Sequence, residues 1–291
     1  MRRAIAGFGR TLVTLGLLML LFVGYQLWGT GYFTARAQAS LEDDFAQAQA
    51  DYRAQTADDP VVDTSATTGP TTTTTTVPAP LPIPAEGDVV GGINIEKIDV
   101  HKWFVQGTER ADLKKGPGHY PETVMPGQLG NAAIAGHRTT YGAPFNRLDE
   151  LHVGDEIVVT LPNGNYTYKV SQEPFAVKPT ETSVVANTPD RATLTLTTCN
   201  PKYSARERLV IKADLVENVS PPVVDPKDLP EASQPVKTES HDAALEDGLQ
   251  GEQKALGPAW GWGLLVLVVG MGWWWVYRRW RHPAMWALGV V

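Results

Sequence analysis

Between residues 92 and 217 the apolar residues of this 291-residue chain come in short, β-branched runs that stop at turn residues, and none keeps a 3.6-residue period long enough to make a core helix. Ile93, Ile95 and Ile98 form one such run, Trp103-Phe-Val105 another, and residues 131–137 a third made of small side chains. Residues 155–161 and 165–171 flank Pro162-Asn-Gly164. Asn-Gly between alternating runs is the strongest short hairpin signal, because both residues tolerate the positive φ of a tight turn. Residues 193–199 and 208–214 complete at least seven strands, and residues 144–151 predict one or two helical turns. Short, closely spaced strands predict an all-β fold, a closed or nearly closed β-barrel with short helices, in preference to an α/β sheet.

The flanks follow other rules. Residues 12–28 carry no charge, only Thr14 and Gln26 interrupt their apolar run, and Arg2, Arg3 and Arg10 precede it. At about 1.5 Å per residue the run just crosses a hydrocarbon layer of roughly 30 Å, so residues 11–29 predict a transmembrane helix behind a cytoplasmic N-terminus at 1–10. A signal peptide competes, but the run is long and no small-x-small cleavage site follows directly. Residues 259–277 predict a second span, with Trp260, Trp262, Trp273, Trp274 and Trp275 near its ends, where indole rings favour the interface. Arg278, Arg279 and Arg281 then open a tail at 278–291. Arginines at the outer end of both spans place both termini in the cytoplasm, which predicts a two-pass cell-membrane protein with its folded domain outside.

Between the spans, residues 30–91 predict a stalk and linker. Residues 37–53 have helix-forming composition and read as a short amphipathic piece, whereas Thr71 to Thr76 are six consecutive threonines followed by Pro78, Pro80, Pro82 and Pro84. Such a tract cannot bury enough apolar area to offset its ordering entropy and favours an extended polyproline form. The folded domain is residues 92–217, and residues 218–258, rich in Pro, Asp and Glu, predict a disordered linker. The net charge of −7 belongs to these flanks, since residues 92–217 hold 15 acidic against 14 basic side chains. No basic stripe with interleaved aromatics is present, so nucleic acid is not a partner.

Chemistry concentrates at strand ends. Cys199 is the single cysteine and closes Thr193-Leu-Thr-Leu-Thr-Thr-Cys199. It cannot form an internal disulfide, so it serves in packing, reactivity or pairing with another chain. It shares a strand face with Thr193, Thr195 and Thr197 rather than with Leu194 and Leu196, and polar Asn200-Pro201 follows, which argues against inert packing. Ile134-Ala-Gly-His137 puts an imidazole where another apolar strand ends. Arg206 and Arg208 open the strand after the cysteine and share its parity, so alternation does not choose between them. Thiolate nucleophile, imidazole acid–base and guanidinium oxyanion donor are the parts that acyl transfer needs. The rival for His137 is a merely hydrogen-bonded loop histidine, like His101, His119 and His152. No Cys pair or His-x-x-x-His spacing supplies a metal cluster, so no metal or other cofactor is expected; Asp149, Glu150, Asp155 and Glu156 read as solvated loop charge.

Thr-Leu-Thr-Thr-Cys199, Ala-Gly-His137-Arg about 60 residues earlier, and Arg208 opening the next strand resemble a sortase, a membrane-anchored cysteine transpeptidase. Gly136-His-Arg-Thr-Thr-Tyr-Gly-Ala-Pro-Phe145 and Cys199-Asn-Pro-Lys-Tyr203 look most like class E sortases of high-GC Gram-positive bacteria. The resemblance covers residues 92–217 and implies an eight-stranded sortase-like barrel. It implies that Cys199 attacks the Thr carbonyl of a Leu-Pro-X-Thr-Gly or Leu-Ala-X-Thr-Gly sorting signal on a secreted protein. It further implies that His137 protonates the leaving glycine amine and that a peptidoglycan precursor amine resolves the thioacyl enzyme. It selects Arg208 over Arg206 and gives Thr198 and Tyr141 substrate-binding roles, Tyr141 beside the signal's second residue. Three other readings compete: a wall-cutting cysteine peptidase, disfavoured because such enzymes usually place Cys before His; a membrane-tethered wall-binding scaffold; and a pilin-polymerising sortase.

Overall fold

The β-branched runs become strands, nine among the described residues: β1 (Val89–Ile95), β2 (Val100–Gln106), β3 (Gly118–His119), β4 (Gly130–Ala135), β5 (Glu156–Leu161), β6 (Gly164–Val170), β7 (Phe175–Val177), β8 (Ala192–Asn200) and β9 (Glu207–Leu215). The computed structural model describes residues 2–24, 30–57, 79–235 and 270–271. Two units divide the chain, Met1–Leu249 and Gln250–Val291, and the barrel belongs to the first.

Neighbouring strands run β6-β5-β1-β2-β3-β4-β8-β9, and a further β6–β9 pairing closes these eight into a barrel. Closure removes the open edges that would template pairing with other chains. The ninth strand, β7, lies antiparallel along the part of β9 that opens the strand, with Val177 opposite Arg208. It has only three residues and β3 only two, too few to show an alternation, which is why neither was readable from pattern.

Side-chain alternation sorts the barrel into two apolar layers. Ile93, Ile95, Phe104, Ile134, Ile157, Leu194, Leu196, Leu209 and Ile211 fill the interior. Ala133, Ala135 and Val210 point the other way, onto an outer cluster with Leu113, Tyr120, Val184 and Val185, and Cys199 packs at its margin. That outer layer explains why β8 is buried along both faces until Cys199 and Asn200.

Three expectations change. The hairpin is present, but Leu161 pairs with Gly164, so Pro162-Asn163 form the two-residue turn and Gly164 opens β6 at φ +150°. The helical turns expected over residues 144–151 reduce to one 3-10 turn, Leu148–Glu150. The flanking transmembrane helices find no support: no helix among the described residues is long and apolar enough to cross a membrane. The first expected span falls on α1 (Arg2–Gly24). The rest of that expected span, residues 25–29, lies outside the described residues. Apart from residues 270 and 271, the second expected span lies outside the described residues.

The stalk behaves unlike a solvated spacer. It forms α2 (Thr30–Ala57), and Leu41 and Phe45 are buried with Val89 and Val105, while Phe45 and Trp103 stack with ring centroids 4.6 Å apart. Beyond the barrel, residues 217–235 also lie against it: Val224 bridges to Gln128, and Ile83 N–H donates to Ala232 O (2.8 Å).

Candidate active site

Strand register assembles the site. In the parallel pair β4–β8, Ala135 lies beside Thr197, and Gly136 N–H still donates to Thr197 O (3.0 Å). Two residues beyond Ala135, past the end of β4, comes His137, and two residues beyond Thr197, still within β8, comes Cys199. In the antiparallel pair β8–β9, Cys199 is directly opposite Arg208. Opposed Cβ atoms in such a pair lie about 5 Å apart. Cysteine and arginine therefore share one face of two adjacent strands, the face of the outer cluster, and His137 follows just past the end of β4. Arg206 precedes β9 and is exposed, whereas Arg208 is fully buried and is the one of the two in register with Cys199.

The Arg208 fork is fixed by its own turn, with Nη1 donating to Ala205 O (3.0 Å) and Glu207 O (3.1 Å). Cys199 is half-buried. Burial pushes its thiol above the ordinary range, and the Arg208 and then Arg138 cations pull against that shift. His137 is pushed down to about 4, first by burial and then by Arg110 and Lys114. Its Nε2 is buried with no hydrogen-bond partner among the described residues. The resting pair is thus neutral thiol and neutral imidazole, and burial is the leading cause for both.

The loop after His137 is tightly shaped. Phe145 N–H donates to His137 O (3.1 Å), and Tyr141, Gly142 and Ala143 all take positive φ, of 51°, 74° and 42°. Left-handed backbone at non-glycine residues is a strain that surrounding contacts must hold, and it gathers at functional sites. The outcome is a Tyr141 ring packed 5.0 Å from that of His137. On the Cys199 side Tyr203, also at positive φ (67°), stands 83% exposed at the rim.

Thr198 alternates to the side of β8 away from Cys199, is fully buried, and donates its hydroxyl to Gly136 O (2.7 Å). It locks the end of β4 to the end of β8, which sets the level of His137 against Cys199. The substrate-contact role expected for it has no support in this placement.

Other residues went unnoticed in the sequence. Arg138 is 4% exposed; its Nη1 donates to Cys199 O (3.1 Å) and Asn200 Oδ1 (2.7 Å), and its Nη2 pairs with Asp149 (3.1 Å). Asn200 passes the restraint on, donating to Glu207 Oε2 (2.8 Å). Tyr120, buried and pushed up to about 12 by desolvation, shares a hydrogen bond with Thr197 Oγ1 (3.0 Å) beneath Cys199. The adjacency of Arg138 to His137 was the one available hint. Among the described residues no His, Cys, Asp and Glu cluster could hold a metal ion.

A sortase-domain family model matches residues 93–216. Sortase SrtE2 of Streptomyces coelicolor is 33% identical over 252 residues, covering 78% of this chain and 88% of that protein. Sortase SrtE1 of the same organism is 31% identical over 228 residues, covering 72% of this chain, and Sortase D of Bacillus subtilis 35% over 115 residues, covering 40%. The chain spans 56% of the length of each of those two. The solved structure of sortase E from Streptomyces avermitilis is 32% identical, with a TM-score of 0.42 over 52% of this chain and 100% of that one. A likeness that runs through most of Sortase SrtE2, joined to a Cys-His-Arg face on a closed barrel, makes this chain a member of the sortase family of cysteine transpeptidases, most similar to its class E members.

Proposed function

We propose that this protein cleaves a Leu-Pro-X-Thr-Gly or Leu-Ala-X-Thr-Gly sorting signal between Thr and Gly and transfers the acyl part to a peptidoglycan amine. The observation that carries the reading is the register that sets Cys199 opposite Arg208, beside β4, whose end leads into His137. The Cys199 sulfur, as thiolate, attacks the Thr carbonyl carbon, and the new oxyanion faces the Arg208 guanidinium. Collapse breaks the C–N bond, and His137 as imidazolium gives its proton to the departing glycine amine. An incoming amine then attacks the thioester, forming a C–N bond and breaking C–S. Thiol and imidazole are both neutral at rest, so the reactive ion pair forms by proton transfer when peptide covers the site and steadies the charges. Tyr141, against His137, is proposed to line the pocket for the signal's second residue; a Tyr141→Phe enzyme with unchanged preference between Pro and Ala signals would remove that role.

Mass spectrometry of the full chain with a sorting peptide tests the reaction. A thioacyl adduct on Cys199 is expected, absent in Cys199→Ala and turned over by added amine. Intact peptide under all conditions would sink the proposal. A cell-membrane location with the barrel outside is proposed on two supports: arginines at the outer end of each apolar run, and leucines 12, 15, 17, 18, 20 and 21 standing more than half exposed on α1. Protease shaving of intact cells should release the barrel; a barrel protected until lysis would refute this topology.

A further inference from the structure

The threonine face of β8 carries a polar chain that no step of the transfer uses. Lys212, on β9, lies opposite Thr195 and, by alternation, shares the face of Arg208 and Val210. Its Nζ donates to Thr195 Oγ1 (2.8 Å) and to Val184 O. The Thr195 hydroxyl donates in turn to Asn131 Oδ1 (2.7 Å), and Asn131 Nδ2 donates to Ala186 O (3.1 Å). One ammonium therefore holds the segment between β7 and β8, residues 178–191, at the carbonyls on either side of Val185, once directly and once through two side chains. Val184 and Val185 are the buried residues of that segment, and they pack on Tyr120, Ala135 and Val210 in the outer cluster that has Cys199 at its margin. The segment begins beside the active site, because Val177, the last residue of β7, is opposite Arg208.

A half-buried ammonium is a costly way to fill this place. Burial and then Arg191 push Lys212 down to about 8 against the pull of Asp214, and an apolar side chain of the same length would avoid that desolvation. What the charge adds is orientation: charge-assisted bonds are the strong ones, and they polarise the hydroxyl and amide that follow them in the chain. Thr195 precedes Cys199 by four residues on β8, about 13 Å of strand rise, which is the reach of an extended four-residue peptide. We propose that Lys212 is a positioning residue for the peptide substrate: it fixes residues 178–191 along the outer face that leads to Cys199 and Arg208, and so sets the affinity for the sorting signal without acting on the thiol. This rests on Cys199 being the acylated group of a peptide transferase.

The test compares the full chain with Lys212→Met, which keeps the stem and removes the donors, with Thr195→Val, which keeps the shape and removes the hydroxyl, and with the double variant. In Lys212→Met the KM for a sorting peptide should rise about tenfold with kcat within about twofold of wild type. Thr195→Val should raise KM in the same direction, and by less once Lys212 is already replaced, because both changes break one chain; it also carries the measurement if Lys212→Met does not fold. Iodoacetamide needs no peptide groove, so its rate with Cys199 should stay that of wild type. Hydrogen exchange, which needs no substrate, should quicken at residues 178–191 and not in β4 or β9. Unchanged exchange in Lys212→Met overturns the clamp, and an unchanged KM alongside faster exchange overturns its role in binding. Alkylation that slows in step with kcat/KM would place the effect on the thiol and overturn the proposal as well. Absence of a thioacyl adduct on Cys199 in wild type would instead overturn the reaction on which the role depends, with the exchange result still reading the clamp.

Discussion

Arg208 shows how much a single side chain is asked to do. It is fully buried, directly opposite Cys199, and two carbonyls fix the plane of its fork. Lysine keeps the charge but presents a point donor on a flexible stem, so Arg208→Lys should lose the oriented oxyanion contact rather than the field. A fall in kcat of about 10²- to 10³-fold is expected, read from cleavage of a fluorogenic sorting peptide. A loss of only a few-fold would mean that charge alone suffices. Arg138 acts through the thiol instead: it bonds the Cys199 carbonyl and draws the thiol's titration downward against burial. Arg138→Gln keeps hydrogen-bond donors and removes the cation, so the thiol should titrate still higher and iodoacetamide should alkylate Cys199 several-fold more slowly near neutral pH. An unchanged rate–pH curve would leave Arg138 a purely structural tie. Cys199 and His137 stood out as candidates in the sequence because each closes an apolar run. Arg208 was not separable from Arg206 by parity, because the turn length that puts Arg206 off the strand leaves no mark in the pattern. Arg138 was illegible because its partners lie on a different strand.

Among the elements, the barrel strands were readable wherever apolar alternation had six or seven residues to show itself, as in β5 and β6. The docking of α2 was not, because its contacts are a few specific side chains rather than a wide apolar stripe. Gln38 is the clamp: its Nε2 donates to Trp103 O (2.8 Å) and Lys115 O (2.9 Å), while its Oε1 accepts from Trp103 N–H (2.8 Å). One amide side chain thus satisfies three backbone groups, and Thr34 Oγ1 adds a bond to Lys114 O (3.0 Å). The approach needs a glycine at 116, where a Cβ would lie 2.4 Å from Gln38 Nε2 and 2.6 Å from Trp103 O. Gln38→Ala should cost about 1–3 kcal/mol by stranding those backbone groups. Gly116→Ala should be destabilising alone, and less so in the Gln38→Ala background, where one of its two clashes is gone. Urea unfolding of the four variants measures this coupling; additive costs would mean that the two residues do not share a contact. The helix also reaches the active site, because Thr34 Cγ2 lies 3.4 Å from where a Gly142 Cβ would stand, next to Tyr141.

At the scale of the whole molecule, the same burial that holds the resting thiol and imidazole neutral ties stability to pH. His119 and His137 are both pushed down to about 4, chiefly by desolvation. His119 is fully buried, hydrogen-bonded through Nδ1 to Gln106 and through Nε2 to Val124 O (both 2.9 Å). An unfolded histidine titrates near 6.5, so between about 6.5 and 4 the unfolded chain binds protons that the folded chain refuses. The favourable neutral state is therefore fully expressed above about 6.5 and is lost as pH falls toward 4, at up to roughly 1.4 kcal/mol per pH unit for each imidazole. Tyrosines set the opposite limit. Tyr120 and Tyr166 are pushed up to about 12 by burial, and Tyr168 is raised further still, its hydroxyl accepting from Gly127 N–H (2.7 Å). The unfolded phenol ionises near 10 while the folded one stays neutral, so stability is full below about 10 and is lost as pH rises toward 12. Urea unfolding from pH 4 to 12 should show a plateau between about 6.5 and 10 with a fall on each side. His119→Gln and His137→Ala should each lower the plateau and flatten the acid limb, together removing most of its slope, while leaving the alkaline limb in place. An acid limb as steep in the double variant as in wild type would show that carboxylates, not these two rings, govern the loss.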